Sequence, residues 1–356
     1  MRRGGQPRYR RFVLLALALL SASHIAPADP AVTYKQPQLA VSGETVALVF
    51  GSGNAVYFRA SHDRGKTFAP PIKVGEAVYL PLGNHRGPRI AVAGKVILIS
   101  AISAKARGED GDLVVWRSTD DGQSWSAPHT VNSVTAAARE GLHGMAAGPD
   151  GTVFLTWLDL RSKGMQLYGA VSRDAGASWL PDSLVYASPD GEICTCCHPT
   201  AAVGYSGELY VMWRNALGGS RDMYFAESND AGRKWRTQKL GNGTWPLNAC
   251  PMDGGGFALD SKKAIHTAWR RADTVFEAVP GHPEQALGKG KNPAIAAGVE
   301  GSYTIWSDGV ALKLKRPGKR EPEVLAPEGS FGVLAGSGPV YAAWEEKGAI
   351  GFARIE

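Results

Sequence analysis

Apart from one short stretch near its start, the sequence has no apolar run that approaches the length of a membrane span, and it has little cysteine and no real surplus of charge. That stretch, Phe12 to Leu20, is itself too short to cross a bilayer. The basic excess is 39 Lys and Arg against 33 Asp and Glu, but five of the basic residues are Arg2, Arg3, Arg8, Arg10 and Arg11. Without them the chain is nearly neutral, so the pI near 9.1 gives no reason to expect a nucleic-acid partner. Four cysteines in 356 residues are too few to staple a chain of this size, and three of them fall within four positions.

The early arginines, the apolar stretch and the small residues Ser21, Ala22 and Ser23 follow the order of a cleavable secretory signal. Residues 1–28 are therefore expected to be a signal peptide, cut after Ser23 or Ala28, with Arg10-Arg11 hinting at the twin-arginine type. The mature chain is expected to be secreted or periplasmic, a monomer with no stable membrane span. Gly 44 and Pro 22 suit many short strands joined by tight turns. Residues 29–356 are read as a single all-β domain.

An internal repeat supports that reading. Ser61-x-Asp63-x-Gly65-x-Thr67-Phe68 recurs as Ser118-x-Asp120-x-Gly122-x-Ser124-Trp125 and as Ser172-x-Asp174-x-Gly176-x-Ser178-Trp179. A fourth copy is Ser228-x-Asp230-x-Gly232-x-Lys234-Trp235, and the aspartates are 57, 54 and 56 residues apart. Each copy reads as a hairpin turn. The carboxylate accepts backbone N–H groups, the glycine supplies a positive φ, and the aromatic packs on a neighbouring sheet.

The four copies resemble the Asp-box (BNR) repeat of the sialidase superfamily. That resemblance implies a β-propeller of four-stranded blades, in which Asp63, Asp120, Asp174 and Asp230 are structural and lie opposite the functional face. A second repeat extends further: an apolar strand ending in an aromatic, at Val46–Phe50, Val153–Trp157, Leu209–Trp213, Ile265–Trp269, Ser302–Trp306 and Val340–Trp344. Val96–Ser100 is a copy without the aromatic. This count predicts seven blades, against the six of sialidases. The last unit shows three strands, and Ala31–Lys35 is expected to supply its fourth.

In such a propeller the segments entering each first strand line the central funnel. Here they carry His85 and Arg89, then His143, then Cys194, Cys196, Cys197 and His198, then Cys250 and Met252. Thiolate, imidazole and thioether together suit copper or zinc. Cys194-x-x-Cys197-His198 also fits c-type haem attachment, with Met252 as a possible axial ligand, although Cys196 sits awkwardly within it. A third reading is a structural disulfide, for example from the cluster to Cys250. Loops after the second strands carry Asp159 with Arg161, Arg214 with Arg221 and Asp222, and Arg270, Arg271 and Asp273. These are either solvated loop charges or an anion site.

The resemblance to sialidases implies an arginine triad for a sugar carboxylate, a Tyr nucleophile with its Glu, and an Asp acid/base. Arg89, Arg161 and Arg221 are the candidates for substrate contacts, and Gly87-Pro88-Arg89-Ile90 loosely matches the family's Arg-Ile-Pro entry. No Tyr/Glu pair stands out. The leading expectation is a funnel site of Cys, His and Met that binds a soft metal or acts in redox. An exo-acting sialidase-type hydrolase and a non-catalytic scaffold are the alternatives, and a small molecule, a glycan or a metal is the expected ligand.

Overall fold

The computed structural model describes residues 22–356, so most of the targeting segment expected over 1–28 lies outside the described residues. The described residues form strands and no helix. Five sheets have four strands each, and a sixth has eight. The eight-stranded sheet consists of two four-strand runs joined by a single pairing, Ala138 with Gly111.

Within each four-strand run the chain winds outward from a central channel. The seven inner strands are Lys35–Ser42, Arg89–Ala93, Ala138–Ala147, Thr200–Val203, Gly256–Leu259, Lys291–Ala297 and Ser330–Ala335. Each packs beside the next, and the last meets the first, so the ring closes and the architecture is a β-propeller. Second strands are covered on both faces by neighbouring blades. Val153–Asp159 is accordingly buried along its whole length, whereas the rim strand Arg236–Lys239 is polar and largely exposed.

The terminal aromatics of the second strands, Phe50, Trp157, Trp213, Trp269, Trp306 and Trp344, are buried between blades. Each such side chain contributes roughly 1.5–3 kcal/mol by leaving water. The copy that lacks the aromatic is completed from its neighbour, because Trp116 on strand Gly111–Ser118 pairs opposite Ile99 and is also buried.

The four Asp-box segments form closely matching turns between third and fourth strands. In the first, the Ser61 hydroxyl donates to Asp63 Oδ1 at 2.7 Å and accepts from the Gly65 N–H at 2.8 Å. Asp63 also accepts the Thr67 N–H at 2.9 Å and its hydroxyl at 2.6 Å. The same bonds recur around Asp120 and Asp174. These bonds hold the Asp120 and Asp174 carboxyls down to about 2. The aromatic that ends each box then packs on the preceding blade: Trp125 on Phe58 at 5.2 Å, Trp235 on Phe154 at 5.7 Å, and Phe68 on Phe352 across the ring closure at 4.8 Å.

The closing strand differs from expectation. Ser23–Ile25, and not Ala31–Lys35, pairs antiparallel with Ala349–Arg354 as the outer strand of the last blade. Ile25 is buried there, whereas Ala31 lies in a turn and Lys35 already begins the first inner strand. Val32 and Tyr34 join the same core as Ile25, but from the segment that leads into the first inner strand, with the Tyr34 N–H bound to the Gly348 carbonyl.

Gly122 lies at φ +85°, and a Cβ there would come within 2.2 Å of the Phe58 ring. Gly122→Ala should therefore lower stability by about 2 kcal/mol or more, from overpacking and left-handed strain together. Chemical denaturation of the variant beside wild type measures it.

Candidate functional site

The channel mouth is built by segments that enter the inner strands. Several of these strands begin with a register shift around a residue of positive φ: Gln36, Glu140, Asn292 and Phe331. His85 and Met252, at φ +62° and +57°, lie in the entries of two others. Non-glycine residues held in this region cost about 1–2 kcal/mol each, which the surrounding packing must offset.

In the fourth entry, Cys194, Cys196 and Cys197 turn their sulfurs toward one another. Cys194 Sγ is 3.1 Å from Cys197 Sγ and 3.7 Å from Cys196 Sγ, and Cys196 and Cys197 are 4.0 Å apart. All three are buried, and Met252 packs over them. They are the one group of three or more potential metal ligands found among the described residues.

Burial alone would raise the Cys197 thiol. Hydrogen bonds from Cys194 and Cys196, the Arg214 charge and the Asp253 amide outweigh burial and hold its pKa well below the usual thiol value. Contact with both neighbouring sulfurs and burial push the Cys196 thiol up. Cys194 receives a bond from Cys196, but donation to Cys197 and burial still push it up to about 12. The three thiols therefore titrate as a coupled group, with the lowest value favoured at Cys197.

Beside it, His85 stacks on His198 with ring centroids 4.3 Å apart and meets the edge of Phe331. His85 Nε2 lies 2.9 Å from Asn292 Oδ1. Burial lowers both imidazoles. His198 Nδ1 is buried with no hydrogen-bond partner, as is Asp253 Oδ1. Gly254 permits this close approach, since a Cβ there would lie 2.7 Å from His198 Nδ1 and 2.3 Å from its carbonyl oxygen. Below the pair, Arg89 donates to the carbonyls of His85, Gly87 and Pro88, and burial lowers it to about 10. His85, Arg89 and His198 line a channel cavity of about 150 Å³.

Arg214 is buried and donates to the carbonyls of Arg221, Asp253 and Arg270 at 2.7, 3.0 and 2.9 Å. Asp253 Oδ2 accepts from Arg270 Nε at 2.7 Å and from the Asn292 N–H at 3.0 Å. Arg214 and Arg270 both face the Trp245 ring, at 5.2 and 5.1 Å.

The structure separates the other expected residues from this group. Cys250 is exposed, and all four cysteines are free, so the bridge from the cluster to Cys250 is not formed. His143 lies between blades with both nitrogens occupied, Nε2 2.9 Å from Ser100 Oγ and Nδ1 3.2 Å from the Gly141 carbonyl. Arg161 is held by Asp159 and Asp182 and lies 4.0 Å over the Tyr168 ring. Arg221 meets the site through its backbone carbonyl, while its side chain turns to Ser220 O. The three expected substrate arginines therefore do not converge. Of the loop charges, Arg271 is taken by Glu284, whereas Arg214 and Arg270 are part of the mouth. Asn292 and Phe331 were not expected. Their signal was positional, because they enter the sixth and seventh inner strands as His198 enters the fourth.

The comparisons with known proteins agree with this architecture. A family model described as a BNR repeat-like domain matches residues 81–253. A Hadza microbial sialidase superposes with a TM-score of 0.55 at 14% identity, over 91% of this chain and 66% of that one. A leech intramolecular trans-sialidase gives 0.53 at 11% identity, over 91% and 68%. A PL25 ulvan lyase gives 0.59 at 11% identity, over 93% and 94%. The chain thus spans a little under two thirds of the length of the first of these. No curated protein matches the sequence. The molecule is a propeller of the kind built from Asp-box repeats. Residues 81–253 match a BNR repeat-like domain, and the chain shares its fold with those two sialidases.

Burial holds the His143 imidazole down to about 3, against 6.5 in the unfolded chain. The unfolded chain alone takes up this proton below pH 6.5, so stability should fall as the pH drops from 6.5 toward 3. The slope is about 1.4 kcal/mol per pH unit for this one site. Urea unfolding at pH 7, 5.5 and 4.5 should show a shallower slope in His143→Gln than in wild type.

Proposed function

We propose that this chain is an exported sialidase-like propeller whose channel mouth holds a soft-metal centre made by Cys194, Cys196 and Cys197. The observation that carries the reading is the convergence of three buried sulfurs 3.1 to 4.0 Å apart beneath a thioether. Sulfurs bound at about 2.3 Å to one tetrahedral ion are separated by about 3.8 Å, so the free cluster is close to a ligand set. Binding would require the three as thiolates and so release thiol protons. The unpartnered atoms His198 Nδ1 and Asp253 Oδ1 nearby are of the kind found beside a bound ion or its ligands.

Burial of all three sulfurs favours an ion over a c-type haem, because a porphyrin attached through Cys194 and Cys197 would need open space beside them. A sialidase-type hydrolase would need a cluster of arginines, and Arg161 is occupied by Asp159 and Asp182 far from that role. The ring itself we read as seven-bladed, with the eight-stranded sheet counted as two blades, because seven inner strands follow one another around the channel.

Metal analysis of protein produced in the periplasm under reducing purification tests the centre. We expect one equivalent of copper or zinc per chain, lost in Cys197→Ser while the β-sheet circular dichroism persists. Metal-free protein that also fails to take up either ion when its thiols are reduced would overturn the reading.

A further inference from the structure

Two buried cations near the cluster have no anionic partner. Arg214 and Arg89 are 1% and 7% exposed, and among the described residues neither forms an ion pair with a carboxylate. Their hydrogen bonds go to backbone carbonyls: Arg214 to those of Arg221, Asp253 and Arg270, with Trp245 at 5.2 Å, and Arg89 to those of His85, Gly87 and Pro88. The buried carboxylate beside them, Asp253, is already matched by Arg270. The mouth therefore holds two positive charges in excess, and an uncompensated buried charge is costly unless an opposite charge lies close by.

The three cysteines are the groups placed to supply that charge. The Arg214 backbone carbonyl accepts the Cys194 N–H at 3.1 Å, and its guanidinium donates to the carbonyl of Asp253, next to Met252 in the chain. Arg89 donates to the carbonyl of His85, whose ring stacks on His198, the residue that follows Cys197 in the chain. A three-thiolate site carries a charge of −2 with a monovalent ion and −1 with a divalent one. The protein offers +2.

Coordination number points the same way. Three sulfurs form the group, and no imidazole or carboxylate joins them within 4.8 Å. Structural zinc almost always takes four strong donors, whereas a cuprous ion is satisfied by soft thiolates and a thioether. Met252, which packs on the cluster, carries a thioether of that kind.

From this charge balance and donor set we infer that the site is built for copper(I) rather than zinc, with Arg214 and Arg89 as the selectivity-determining cations. The inference rests on the soft-metal reading above and names the ion. No redox step is involved: the ion enters and leaves as copper(I), and the protons of the free thiols pass to solvent.

The test is an anaerobic competition on the reduced full chain. Copper(I), supplied as its acetonitrile complex, and zinc(II) are added in equimolar amounts, and the retained metal is measured after desalting. We expect copper(I) to be retained at one per chain and to displace preloaded zinc, with three or four sulfur neighbours by X-ray absorption. Arg214→Met removes the charge while keeping a similar length. It should weaken copper(I) binding at least tenfold and zinc(II) binding less, because the copper form carries the extra negative charge. Retention of zinc in the presence of equimolar copper(I) would overturn the inference and leave the thiolate centre standing. Retention of neither ion would overturn both. If Arg214→Met does not fold, the wild-type competition still decides.

Discussion

The guanidinium of Arg214 reaches the backbone carbonyls of Arg221, Asp253 and Arg270, and so ties together three segments that the chain order keeps apart. One follows the second strand of a blade, one enters the next inner strand, and one ends a second strand in the neighbouring blade. Among the described residues no carboxylate pairs with it, so the carbonyl dipoles and the face of Trp245 solvate the charge. The positive potential that remains reaches Cys197 and favours its thiolate. The shape of the channel mouth and the chemistry of its cysteines thus depend on the same buried cation.

That cation can be held only because the blades around it are rigid. Asp-box turns fix the connection between third and fourth strands, and the aromatic of each box is pressed onto the preceding blade. Buried aromatics fill the spaces between the inner sheets. Where the second strand supplies no aromatic, Trp116 enters from the adjacent strand, so the requirement is for a filled volume and not for a particular sequence position. The inner ends of the strands carry the register shifts and positive φ angles. A rigid rim with an irregular mouth is the usual way in which a repeat fold gains a specific site.

The likeness to sialidases and polysaccharide lyases lies in this scaffold. Identities of 11 to 14% describe shared architecture, and the residues at the channel mouth follow a separate logic.

The sequence by itself determined the all-β class, the turn chemistry at Asp63, Asp120, Asp174 and Asp230, and the second strands with their closing aromatics. Those features are local, since a turn or an alternating strand is specified by residues a few positions apart. It also showed that Cys194, Cys196, Cys197, His198 and His85 belong to one rim, because repeat position maps onto the ring. Only the tertiary structure decided which of the equivalent positions meet. Cys250 and His143 occupy positions like that of His198, yet one is exposed and the other is bound to Ser100 and Gly141. Arg214 reads in sequence as one loop charge among several and proves to be buried at the centre. Ser23–Ile25, inside the stretch that reads as a signal, closes the last blade in place of Ala31–Lys35. In each case the outcome depends on side-chain direction and burial across blades, and those are set by contacts between residues dozens to hundreds of positions apart.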